Sequence, residues 1–135
     1  MKKGDELKER TKAFALRVMN LIDALPKSTK GRAIASQLVR SGTSVAANYR
    51  AACRARSQAE FIAKIGTVEE EAHETAFWLE LIIDSKVMAA GKGQSLLTEA
   101  NELVGIMAAS YISAARHSSR RISQQSAFRN QNSAL

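Results

Sequence analysis

Residues 5–26 read DELKERTKAFALRVMNLIDALP, and the spacing within this stretch decides the fold class. Leu7, Thr11, Phe14, Val18, Leu21 and Leu25 follow alternating steps of four and three. That is the heptad seam of a helix that buries one stripe against neighbouring helices. Asp5 is placed to cap this helix and Pro26 to end it. The same rhythm recurs three more times. A second helix is predicted from Lys30 to Arg54, with Ile34, Leu38, Ser41, Val45, Asn48 and Ala52 as its seam. A third opens on Ser57, with Glu60 completing a capping box, and carries Phe61, Ile65, Val68, Ala72, Thr75, Leu79 and Ile82. Gly91-Lys92-Gly93 reads as the next turn. A fourth helix is predicted from Gln94 to Arg116, striped by Leu96, Ala100, Leu103, Met107, Ser110 and Ala114.

The predicted fold is therefore all-α, an antiparallel up-down-up-down four-helix bundle. One feature of the second helix breaks the pattern. Ser41-Gly42-Thr43-Ser44 lies in its interior, where Gly weakens a helix and Ser and Thr compete for backbone hydrogen bonds. A kink or brief break is expected there, with Ser44 able to cap a restarted helix. Composition agrees with the all-α reading. The chain has 135 residues, 45% of them apolar and 24% charged, with one Pro and seven Gly. That is one domain, too poor in turn residues for an all-β protein. Residues 1–118 are assigned to the bundle. Residues 119–135, rich in Ser, Gln, Asn and Arg, are expected to form a disordered basic tail. The lone Cys53 makes no internal disulfide. No stretch approaches a membrane span, and the charged N-terminus does not read as a signal peptide. A cytoplasmic protein is expected.

Charge is unevenly spread over a net of +7. Residues 1–56 hold 13 basic and 4 acidic residues, residues 57–110 hold 3 and 9, and residues 111–135 hold four arginines and no acid. Such an imbalance has two explanations. Either the basic residues serve a polyanion, or the halves attract each other within or between subunits. On the second helix Arg32, Ser36, Arg40, Thr43, Ala47, Arg50 and Arg54 share a face. On the first, Lys3, Arg10 and Arg17 repeat every seven residues. Arg10, Arg17, Arg32, Arg40, Arg50 and Arg54 are thus the candidate phosphate ligands. Pairing with acids such as Glu69 and Glu70 remains the alternative.

Residues 40–49, Arg-Ser-Gly-Thr-Ser-Val-Ala-Ala-Asn-Tyr, resemble the signature of a family of small bacterial four-helix-bundle proteins. That family is named for members encoded by intervening sequences within large-subunit ribosomal RNA genes. The resemblance continues through Ala51 to Ser57, Glu60-Phe61-Ile62, Glu69 to Thr75 and Phe77-Trp78-Leu79-Glu80, and covers roughly residues 5–116. Many relatives carry an acid shortly after the Asn, where this chain has Arg50-Ala51-Ala52. The resemblance implies a homopentameric ring, a distant likeness to basic accessory proteins of diversity-generating retroelements, and no enzymatic activity.

Other candidate residues follow from chemistry. Phe77, Trp78 and Leu81 lie off the third seam and are expected at an oligomer interface. Gly42, Ser44 and Asn48 are read as structural, Asn48 as a seam residue that fixes register. Glu70-Glu71-Ala72-His73 holds one Glu-x-x-His motif, where a di-iron bundle needs two, so no metal is expected. Cys53 lacks an evident base, so no catalytic residue and no cofactor are assigned. The expected function is a non-enzymatic, RNA-binding accessory protein. The alternative is a structural or protein-interaction scaffold with no nucleic-acid role.

Overall fold

The computed structural model describes residues 3–133. These form α1 (Lys3–Asp23), α2 (Thr29–Cys53), α3 (Gln58–Asp84) and α4 (Ala90–Ser133), with no strand among the described residues. Asp5 and Glu6 sit in the first turn of α1, where the helix dipole favours negative charge. Pro26 follows its end. Ser28 then caps α2, its hydroxyl accepting from the Gly31 amide at 3.1 Å. Gly31 has no substitute at this turn, because a Cβ there would lie 2.0 Å from the Pro26 carbonyl oxygen.

Helix α2 shows no break. It runs unbroken through Ser41–Ser44, so Ser44 caps no restarted helix. The hydroxyls that threatened the helix bond back to it: Ser41 to the Leu38 carbonyl at 3.3 Å and Thr43 to that of Val39 at 2.6 Å. Gly42 has a packing role. A Cβ there would stand 2.9 Å from both methyls of Val18, so the missing side chain lets α1 and α2 approach closely. Ser57 caps α3 as expected, accepting from the Glu60 amide at 3.0 Å. The Glu60 carboxylate reaches back to the amide of Arg56, one residue before the cap, also at 3.0 Å.

The turn into α4 is earlier than the glycines suggest. It occupies residues 85–89, with Lys86 in the left-handed region at φ 57°, and α4 has begun by Ala90. Gly93 instead lets the first turn of α4 approach α3, where a Cβ would lie 3.2 Å from Ile83. The fourth helix also outruns its predicted end. Residues 119–133 remain helical where a disordered tail is expected, and all are exposed. No Gly or Pro follows Gly105, so nothing in this stretch terminates the helix.

The predicted seams are the core. Phe14, Val18, Leu38, Val45, Ile65, Leu79, Leu103 and Met107 are fully buried, along with Thr11 and Thr75. The two threonine hydroxyls donate to carbonyls one turn back, at 2.8 and 2.7 Å, so their burial leaves no orphan polar atom. Tyr49 is buried, whereas Asn48 is only half-buried and donates to the Ser44 carbonyl of its own helix at 2.9 Å. A strict seven-residue count drifts against 3.6 residues per turn, and by this point Tyr49 has rotated inward. Contacts run in opposite order along α1 and α2 and along α3 and α4. Gly4 faces Tyr49 and Val18 faces Gly42; Gly93 faces Ile83, Gly66 faces Tyr111, and Gln58 donates to the Ala114 carbonyl.

Candidate nucleic-acid interface

The arginine face of α2 is an exposed strip. Arg32, Ser36, Arg40, Ala47, Arg50 and Arg54 are exposed and Thr43 is half-buried, over a length of about 33 Å at 1.5 Å per residue. Among the described residues, none of these four arginines has an acidic partner within 4 Å. Arg40 has an electrostatic link to Glu71 on α3. Burial, then the like charges of Glu74 and Glu70, push the Glu71 carboxyl up, and Arg40 opposes them. Four guanidinium groups on one rigid helix can meet a run of phosphates without reordering the backbone.

The candidates on α1 are engaged elsewhere. Arg10 forms a fork on Glu99 of α4, with Nε to Oε2 at 2.9 Å and Nη2 to Oε1 at 2.6 Å. Its Nη2 also donates to Glu102 at 2.6 Å. This bidentate geometry holds the Glu99 carboxyl below the usual carboxylate range, chiefly through the hydrogen bond from Arg10. Arg17 donates to the Ser95 hydroxyl at 2.7 Å. Both side chains brace α1 against α4 rather than form a second phosphate ridge beside α2. The side chain of Lys3 lies outside the described residues. Glu99 and Glu102, three apart on the fourth helix, were the signal for this brace.

The proposed interface residues on α3 also divide. Phe77 is 50% exposed, but Trp78 and Leu81 are half-buried, and Trp78 packs on the core. The two rings meet edge to face at 5.1 Å, and the indole Nε1 donates to Glu74 at 3.4 Å. Leu16 and Met19 on α1 and Tyr111 and Ile112 on α4 are exposed as well, off the seams of their helices.

A groove of about 1120 Å³ opens where the start of α1, the end of α2, the start of α3 and the middle of α4 meet. Leu7, Phe61, Ile65 and Ile106 give it an apolar floor, and Tyr49, Cys53 and His117 line it too. Burial, and to a lesser extent Cys53, push the Tyr49 phenol up, so it stays protonated. No group of three His, Cys, Asp or Glu side chains among the described residues stands close enough to hold a metal ion. No described helix is long and apolar enough to cross a membrane.

The family described as 23S rRNA-intervening sequence protein matches residues 5–109, from the first turn of α1 to the middle of α4. The chain belongs to that family. A solved structure agrees: a protein of unknown function from the S23 ribosomal protein family of Bacteroides thetaiotaomicron VPI-5482. It is 34% identical, with a TM-score of 0.72, over 77% of this chain and 96% of that one. No curated protein matches the chain. The whole α2 face falls inside the matched region, whereas residues 110–133 of α4 fall beyond it. Arg50 is exposed and extends the positive face.

Proposed function

We propose that this family member is a non-enzymatic accessory protein that binds RNA on the arginine face of α2. We further propose an antiparallel up-down-up-down bundle, assembled as a homo-oligomeric ring with five subunits. The opposed order of contacts along α1 and α2 and along α3 and α4 supports the topology. Exposed Phe77, Leu16 and Met19 support the assembly. The observation that carries the RNA reading is the strip of Arg32, Arg40, Arg50 and Arg54, exposed along one helix and without acidic partners among the described residues. Phosphate contacts of this kind bind with little sequence preference. They also lose affinity steeply with salt, by about 0.9 in log–log slope for each duplex phosphate neutralised. A ring multiplies the effect by presenting the face several times.

A filter-binding salt titration on structured RNA, with oligomer mass measured in parallel, tests the reading. Arg40→Glu with Arg54→Glu abolishes binding and leaves mass and helicity unchanged. A scaffold without a nucleic-acid role is favoured by one observation: Arg10 is spent on Glu99 and Glu102, so basic residues here do serve protein contacts. On that reading the double variant disturbs assembly and the wild type binds no RNA even at low salt. That result refutes the RNA assignment.

A further inference from the structure

We infer that the overhanging C-terminal arm of α4 docks on the outer face of α3 in a second copy of the chain. This rests on the reading that the protein self-assembles, and it names the contact. The helix continues 19 residues past Ala114, the level at which Gln58 opens α3, or about 28 Å. Residues 119–133 are all exposed, and a helix standing alone in water over so short a length is marginal. The arm carries Arg116, Arg120, Arg121 and Arg129, with no acid anywhere between residues 103 and 133. Ile122 and Phe128 add apolar surface, 62% and 64% exposed.

Helix α3 offers the complement. It has no Lys or Arg between residues 65 and 85. Glu70, Glu74, Glu80 and Asp84 are exposed there, flanking exposed Phe77, and none of them forms an ion pair among the described residues. Glu70 to Asp84 spans about 21 Å and Arg116 to Arg129 about 20 Å, so the two charged stretches match in length. The arm cannot reach its own α3. Tyr111 stands level with Gly66, and α4 then leads away past the α3 N-terminus, while the acids lie in the opposite direction. Arg129 is therefore about 27 Å beyond the Gly66 level, on the wrong side. Exposed Ile122 and Phe128 fit a protein face bearing Phe77 better than a phosphate backbone. Donor and acceptor surfaces differ, so the contact is head-to-tail and propagates from copy to copy until a ring closes.

Three full-length variants test the contact: Arg120→Glu/Arg121→Glu/Arg129→Glu on the arm, Glu70→Lys/Glu74→Lys/Glu80→Lys on α3, and all six changes together. Circular dichroism confirms that each remains helical, and light scattering over a concentration series at low salt gives the association constant. Each triple variant is expected to weaken association at least tenfold, and the six-fold variant to recover most of the loss. A wild type that is monomeric overturns both the assembly reading and this inference. An oligomeric wild type whose association is unchanged by the arm reversal overturns this inference alone. So does an arm reversal that lowers affinity for a hairpin RNA while leaving the association constant intact, since the arm would then serve nucleic acid.

Discussion

Replacing Gly42 with Ala sets two effects of opposite sign against each other, and the structure says which wins. In an exposed helix interior Gly→Ala stabilises by about 1 kcal/mol. Here the new methyl would lie 2.9 Å from both Cγ atoms of Val18 and 3.2 Å from its Cβ. Val18 has no exposure, and a β-branched side chain in a helix has essentially one χ1 rotamer, so it cannot swing aside. The helices must separate, and overpacking of this kind costs about 1–3 kcal/mol. The upper part of that range applies, leaving Gly42→Ala about 1–2 kcal/mol less stable than wild type. Val18→Ala alone removes two buried methyls and leaves a cavity, costing about 2–3 kcal/mol. With Val18 already reduced to Ala, both 2.9 Å contacts are removed and only the tight 3.2 Å approach to its Cβ remains, so most of the propensity gain survives. Gly42→Ala should then stabilise by about 1 kcal/mol. The double-mutant cycle therefore has a coupling of about 2–3 kcal/mol and a reversal of sign. Urea unfolding followed at 222 nm measures it, with protomer concentration fixed because assembly contributes to apparent stability. A Gly42→Ala variant that is more stable than wild type in both backgrounds would refute the close-approach argument.

Other perturbations probe the caps and charges. Gly31→Ala drives a Cβ toward the Pro26 carbonyl, so thermal unfolding should show a loss of about 2 kcal/mol or more. Arg10→Met removes the fork on Glu99 and should cost on the order of 1 kcal/mol at neutral pH, the pair being partly exposed. Glu99 is held below its ordinary value in the folded state, so its contribution is present above the unfolded carboxylate value and lost as pH falls through the lowered one. Urea midpoints taken down that range should converge for Arg10→Met and wild type. Glu71 is shifted the other way, so its charge destabilises the fold at neutral pH. Glu71→Gln should be slightly more stable than wild type at pH 7, and the gain should shrink as pH falls through the raised folded value and vanish only below the ordinary carboxylate value of the unfolded chain.

What the sequence made legible was whatever repeats with the helical period. All six α1 seam residues are buried, and in the other helices only Asn48, Phe61 and Ser110 stand partly out. The N-cap of α3 was legible for the same reason: a local hydrogen bond with fixed spacing leaves a local signature. The misreadings came where one residue type serves two physical ends. A Gly in a helix signals a break if conformational freedom is what matters, and a close crossing if the missing Cβ matters. Gly42 and Gly93 belong to the second kind, which only the facing Val18 and Ile83 reveal. The partners of the α1 arginines were hidden in a related way. Arg10 and Arg17 share a face by spacing, but spacing says nothing about what lies opposite, and Glu99 is 89 residues away in sequence. The arginines of α2 differ because their side chains are exposed and none has a carboxylate within 4 Å among the described residues. Charge distribution alone therefore could not separate a brace from a binding strip. That distinction depends on which helix faces meet, and it leaves α2, rather than the sum of all basic residues, as the surface to test with RNA.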